Sequence, residues 1–128
     1  MNYTRRMRGN ALVISDESGK ELLCIKETAE NGCMNFSLVG ELRNEIAYEF
    51  EDELCAVLTV CHNVRVDLSK LTFIASAGLH TLLHTQQMTD EMPDGKLIIS
   101  GISEQVMTVF ESSGFVDLFE FDLKEGAV

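Results

Sequence analysis

Apolar residues recur along the chain in two spacings, and together these spacings predict a layered α/β fold. Short apolar or alternating runs that are bounded by turn residues are typical of β-strands. Such runs lie at Leu12–Ile14, Leu22–Ile25, Cys33–Val39, Val64–Leu68 with an extension over Leu71–Ile74, Lys96–Ser100 and Phe119–Phe121. In the third run, Met34, Phe36 and Leu38 share one face of the strand, as the core side of a sheet requires.

Longer segments between these runs have helical spacing. From Asn44 to Cys61 the apolar residues recur about every 3.6 positions, and the opposite face is acidic and is expected to be solvated. The acidic residues of that face are Glu45, Glu49, Glu51, Asp52 and Glu53. A second helix is predicted to begin near Ser76, and a third is predicted to begin at Ser103 and to end at Gly114.

The order of these elements predicts a small α/β sandwich, in which three main helices pack on a mixed sheet of four to six strands. Helices alternate with strands in the second half of the chain, so those strands are expected to run parallel with right-handed crossovers. Residues 11–128 are expected to form this single domain. Residues 1–10 contain Arg5, Arg6 and Arg8 but no apolar run, and they are predicted to be a flexible basic tail.

Composition and charge narrow the classes of function. The 128 residues suffice for one core, and 21 acidic against 10 basic residues give a net charge of −11, which disfavours nucleic acid as a partner. No apolar run approaches the roughly 20 residues that span a bilayer, so no membrane insertion is expected. The start lacks the apolar segment of a secretory signal, and the four cysteines form no Cys-x-x-Cys pair. The protein is therefore expected to be cytoplasmic, with reduced thiols and no structural metal.

The most specific local feature is a strand that runs directly into small residues at the start of a helix. Residues 75–78 read Ala-Ser-Ala-Gly, and they follow Leu71–Ile74 without a break. Small side chains leave the first backbone N–H groups of a helix open to an anion. They also allow a helix to pack closely on a strand. Both interpretations remain open on the residues alone.

A series of motifs between residues 22 and 121 has the order of a known family. The matching segments are Phe36–Leu42 with its Gly-Glu-Leu ending, Val66–Leu68, Leu71–Ile74, Ser76-x-Gly-Leu79, Lys96–Ile99, Ser103–Phe110 and Glu111–Phe119. Together they resemble the STAS domain, which is the fold shared by bacterial anti-sigma factor antagonists and the cytoplasmic tails of sulfate transporters.

The resemblance implies a non-enzymatic function in recognition, with no cofactor. In antagonists of this family, the turn before the second helix reads Asp-Ser-Ser-Gly, and its second serine is phosphorylated by a kinase that is also the anti-sigma factor. The unphosphorylated form binds this kinase, and phosphorylation adds about two negative charges that break the complex. The resemblance thus implies a partner-binding surface composed of Gly40, Glu41, Arg43, Ala75, Ser76, Ala77, Gly78 and His80.

The sequence departs from the family pattern at the phosphorylation switch. Ala77 occupies the phosphoacceptor position, and its side chain has no hydroxyl group to phosphorylate. Ala75 replaces the aspartate that precedes the two serines, and Arg43 replaces the aspartate that follows Gly-Glu-Leu. The resemblance therefore predicts that the scaffold is retained and that the switch is changed.

Three explanations for this change are open. The protein could be an antagonist held in the binding-competent state, because Ala77 resembles a permanently unphosphorylated serine. Ser76, or a neighbour such as Thr72 or Thr81, could instead serve as a displaced phosphoacceptor. Alternatively, the domain could be a scaffold or ligand-sensing subunit of a transporter or signalling complex. Arg43 counts against the first explanation, because reversing a charge at a binding rim can cost contact with the former partner.

Other combinations of reactive residues carry less weight. His80 and His84 share a helix face, but a metal site needs a third ligand, and none has a suitable spacing. Ser76 and His80 lie one turn apart without an orienting acid, so a hydrolase is not favoured. The small-residue helix start leaves nucleotide binding as a minor alternative, although no phosphate-binding glycine motif is present.

Overall fold

In the computed structural model, which describes residues 2–123, the chain forms one seven-stranded sheet and three α-helices within that range. The strands are β1 (Tyr3–Arg8), β2 (Ala11–Asp16), β3 (Glu21–Glu30), β4 (Cys33–Leu42), β5 (Asn63–Ile74), β6 (Lys96–Ile102) and β7 (Glu120–Phe121). The helices are α1 (Ala47–Leu58), α2 (Ser76–Asp90) and α3 (Glu104–Ser112), and short 3-10 turns cover Asn44–Ile46 and Val116–Leu118. Residues 124–128 of the predicted domain lie outside the described residues.

The seven strands lie in the sheet in chain order. The first four strands pair antiparallel, as hairpins do, and β4 to β7 pair parallel through helical crossovers. Along β5, Val64, Val66 and Leu68 are buried, whereas Arg65 and Asp67 are partly exposed. The helices therefore cover one face of the sheet, and the mixed α/β architecture predicted from the sequence is confirmed.

The core lies between this face and the helices. Phe36 of β4, Phe50 of α1 and Phe110 of α3 are fully buried, and the rings of Phe36 and Phe50 meet edge to face with centroids 5.8 Å apart. Burying one such side chain contributes about 2–3 kcal/mol to the free energy of folding.

The predicted ends of α3 are also confirmed, because the Ser103 hydroxyl accepts from the backbone N–H of Val106 and Gly114 has a φ of +76°.

The prediction of a flexible tail over residues 1–10 is wrong. Tyr3–Arg8 forms an edge strand that pairs antiparallel with β2, so the sheet has seven strands rather than four to six. The arginines that suggested a tail are neutralised locally, because Arg8 Nη1 donates to Glu21 Oε2 over 2.8 Å and Arg5 Nε lies 3.0 Å from Glu49 Oε1. The basic stretch is therefore part of the folded sheet.

The prediction of a fully solvated acidic face on the first helix is wrong at one residue. Glu49 is only 7% exposed, and α1 supplies no base to pair with it. Its neutralising partners come from β1, which the sequence did not predict to be a strand. Elsewhere this face of α1 is acidic, as expected. It also affects β3, where burial together with the neighbouring Glu53 carboxylate raises the pKa of Glu27 to about 8.

Candidate functional site

The turn between β5 and α2 holds the residues that the sequence singles out. Ala75 has an extended backbone, with a φ of −88° and a ψ of 169°, and α2 begins at the next residue. Ser76 is exposed, Ala77 is half-buried, and Gly78 is buried beneath them. The exposed part of this turn is thus a hydroxyl group followed by a methyl group.

Asn44 caps the start of α2 from a different part of the chain. Ala75 occupies the N-cap position, but its methyl group cannot accept a hydrogen bond. The Asn44 side chain supplies the missing acceptor, because its Oδ1 accepts from the backbone N–H of Ala77 over 3.0 Å. The Ser76 hydroxyl lies 3.5 Å from the same oxygen. The sequence contains one indication of such a cap, namely that alanine is a poor N-cap residue.

We expect the Asn44→Ala substitution to lower the free energy of unfolding by about 1 kcal/mol, the usual effect of losing an N-cap acceptor. Asn44→Asp should retain the stability, because it keeps the acceptor and places a negative charge at a helix N-terminus. Urea unfolding measures the change, and hydrogen exchange at the Ala77 amide locates it. Asn35→Ala on the open face of the sheet is the control. An unchanged exchange rate at Ala77 in Asn44→Ala would rule out the cap.

The end of β4 lies directly beside this turn. The backbone N–H of Ala75 donates to the Leu42 carbonyl over 2.9 Å, and the Thr72 hydroxyl donates to the Gly40 carbonyl over 3.1 Å. Gly40 has a φ of +117°, a conformation that favours glycine. The structure thus brings residues 40–43 and 75–80 together, as the sequence predicted.

Arg43 and Glu41 form an ion pair at the rim of the turn. Arg43 Nε donates to Glu41 Oε1 over 2.8 Å, and this hydrogen bond raises the pKa of the Arg43 guanidinium. Both side chains are about one-third exposed. The positive charge of Arg43 therefore meets a partner only together with the carboxylate of Glu41, so this part of the rim is close to neutral.

A groove between α1 and α2 continues the surface beyond Ala77. It has a volume of about 440 Å³, and its walls include Tyr48, Ala77 and His80. Tyr48 is 50% exposed, and Phe73 is 48% exposed on the other side of the turn. The sequence did not indicate these two aromatic residues. Phe73 faces outward after the register shift between Gly40 and Glu41, which the alternation of β5 alone does not reveal.

Two of the residues that were predicted to lie on the partner-binding surface are instead buried beneath it. Ala75 and Gly78 are both buried. A Cβ atom on Gly78 would lie 2.8 Å from Leu42 Cδ2, so glycine at this position allows α2 to pack against the end of β4. The backbone N–H groups of Ala75, Ala77 and Gly78 all donate within the protein. These contacts favour the close-packing interpretation of the small residues over an anion site.

Other chemistry has little support in the part of the chain that the structure describes. There, no three His, Cys, Asp or Glu side chains are grouped as ligands of a metal ion would be. His84 Nδ1 lies 3.2 Å from Glu51 Oε2 of α1, while His80 borders the groove. No helix between residues 2 and 123 is long and apolar enough to cross a membrane. The cysteines are free thiols.

Comparison with known families identifies the chain. A family model described as the STAS domain matches residues 25–127. The chain belongs to the STAS domain family. The matched region of this STAS protein contains β4 to β7, all three helices and the turn at Ala77, whereas β1 and β2 precede it.

Relatives of this STAS protein include anti-sigma factor antagonists. BtrV from Bordetella bronchiseptica, which carries that name, is 31% identical over 90 residues, covering 70% of this chain and 77% of BtrV. An anti-sigma factor antagonist from Mycobacterium paratuberculosis has a similar structure, with a TM-score of 0.66 at 20% identity over 77% of this chain and 84% of that chain. The structure of the anti-sigma factor antagonist SpoIIAA in its unphosphorylated form is also similar, with a TM-score of 0.67 at 18% identity. The match covers 80% of this chain and 91% of that chain. The predicted resemblance is confirmed.

Proposed function

We propose that this STAS protein is a non-enzymatic regulator that binds a kinase-type anti-sigma factor and cannot be released by phosphorylation at the usual position. The supporting observation is the first turn of α2, which presents Ala77 half-buried beside the exposed Ser76. We take position 77 as the counterpart of the phosphoacceptor in that family, because the resemblance to antagonists implies this correspondence. A methyl group at that position retains the uncharged shape of the binding-competent state.

The proposed contact surface joins four parts of the protein. At its centre are Ser76 and Ala77, the groove with Tyr48 and His80 lies on one side, and Phe73 lies on the other. The Glu41–Arg43 pair forms the rim. Aromatic residues are enriched at the centre of protein interfaces, and charged pairs at the rim contribute mainly to specificity. This arrangement suits a protein partner better than a polyanion.

Phosphorylation at Ala77 is chemically excluded, because alanine has no oxygen atom to accept a phosphoryl group. In a serine-containing antagonist, the phosphate would add about two negative charges at the contact surface. Without that event, binding is controlled by the amounts of antagonist and partner. The protein would therefore act as a constant competitor for the anti-sigma factor rather than as a switch.

Affinity capture from the cells that naturally contain the protein tests this proposal. Recovery of a histidine-kinase-like ATPase, with binding that weakens as salt increases, is the expected result, since the chain carries a net charge of −11. The recovered ATPase and ATP are then incubated with the wild-type protein and with Ala77→Ser. We expect one phosphate on the Ala77→Ser chain and none on the wild type.

Two outcomes would redirect the proposal. Phosphate on wild-type Ser76 would identify that residue as a displaced acceptor, and Ser76→Ala should then remove it. Recovery of a transporter or of signalling proteins without such an ATPase would contradict the antagonist function. It would favour a scaffold or ligand-sensing subunit of a transporter or signalling complex.

A further inference from the structure

The first strand is attached to helix α1 by a buried carboxylate. Glu49 of α1 is 7% exposed, and both of its oxygen atoms are used by β1. The Tyr3 hydroxyl donates to Oε2 over 2.7 Å, and Arg5 Nε lies 3.0 Å from Oε1. A carboxylate that is removed from water needs such partners, and α1 contains no base that could provide them. The contact is therefore a specific attachment of the strand to the helix.

The same tyrosine reaches the candidate functional site. The hydroxyl groups of Tyr3 and Tyr48 are hydrogen-bonded to each other. Tyr3 donates its single hydroxyl proton to Glu49, so the hydroxyl group of Tyr48 is the donor to Tyr3. Tyr48 is half exposed and lines the groove that also contains Ala77 and His80. Two hydrogen bonds thus connect the buried Glu49 carboxylate, through Tyr3, to Tyr48 in the groove.

We propose that β1 is a positioning element of the partner-binding surface, in which Tyr3 orients the Tyr48 side chain beside Ala77. The strand precedes the residues that match the STAS family model. The role in partner binding rests on the proposed function. The orientation of Tyr48 does not, and it can be measured on the protein alone.

The Tyr3→Phe substitution tests the orientation, because it removes the hydroxyl group and keeps the aromatic ring. Two-dimensional NMR of the full chain follows the ring of Tyr48 and the backbone amides of Ala77 and His80. We expect the Tyr48 ring signals to move towards those of a freely rotating tyrosine and the two amide signals to shift. Thr4→Val is the matched control, because Thr4 lies on the opposite face of β1 and is exposed. It should leave all these signals in place.

Binding measurements separate positioning from a general effect on folding. Against the anti-sigma factor, Tyr3→Phe is expected to weaken binding about tenfold, and Tyr48→Phe should weaken it to a similar degree while Tyr3 and Arg5 still pair with Glu49. The double variant should lose no more than either single variant, because both act through one hydrogen bond. Additive losses would overturn the coupling.

The two proposals can fail separately. Unchanged Tyr48, Ala77 and His80 signals in a folded Tyr3→Phe protein would overturn the positioning role, whatever partner is captured. If Tyr3→Phe does not fold, Tyr48→Phe decides, because the inference then requires shifts at Tyr3 and Ala77. Shifted signals without any anti-sigma factor among the captured proteins would retain the positioning role and refute the proposed partner.

Discussion

The Ala77→Asp substitution is expected to weaken binding to the anti-sigma factor on the order of 100-fold without loss of stability. A charge that is desolvated at an interface without a partner costs about 3 kcal/mol, which corresponds to this loss of affinity. In the free protein the same charge is favourable, because position 77 is the second residue of α2 and the helix dipole attracts an anion there. The free energy of unfolding should rise by about 0.5 kcal/mol.

The matched control is Gln105→Asp, which adds the same charge at the second residue of α3. Gln105 is exposed and lies outside the proposed surface, so stability should respond in the same way and binding should be unaffected. Titration calorimetry and thermal unfolding measure the two quantities. Wild-type affinity in Ala77→Asp would place the contact surface elsewhere on the protein. Equal losses in both variants would indicate an effect of net charge alone.

The sequence predicted most elements because their signals are local. The alternation of Val64, Val66 and Leu68 determines which face of β5 is buried, and Ser103 and Gly114 mark the ends of α3 with their own side chain and backbone. Strand β1 carries no such signal. Tyr-Thr-Arg-Arg-Met-Arg has no apolar alternation, and its conformation depends on pairing with β2 and on the attachment to Glu49.

The candidate site was predictable only in part, for a related reason. The turn at Ser76 and Ala77 follows from contiguous residues. The Asn44 cap joins residues 33 positions apart, and the hydrogen bond between Tyr3 and Tyr48 joins residues 45 positions apart. Such contacts depend on where the helices settle on the sheet. The local sequence therefore indicated a deficient cap but could not identify its replacement.

The largest expected effect on stability is that of Gly40→Ala, at a residue that the sequence placed on the partner-binding surface. Gly40 has a φ of +117°, and a Cβ atom there would lie 2.3 Å from the Leu22 carbonyl oxygen. Backbone strain of about 1–3 kcal/mol adds to a steric cost of similar size. A loss of about 4 kcal/mol would remove much of the stability of a typical domain, which is about 5–15 kcal/mol.

Gly114→Ala separates the two contributions to this loss. Gly114 also has a positive φ, of +76°, but a Cβ atom there would meet nothing within 4 Å. The Gly114→Ala substitution should therefore lower the free energy of unfolding by only about 1 kcal/mol, through backbone strain alone. Urea unfolding of both variants measures the difference. If Gly40→Ala is as stable as Gly114→Ala but binds the anti-sigma factor poorly, Gly40 is a contact residue. If its binding loss follows its unfolded fraction, Gly40 acts by holding β4 against β3, and the contact surface begins at Glu41.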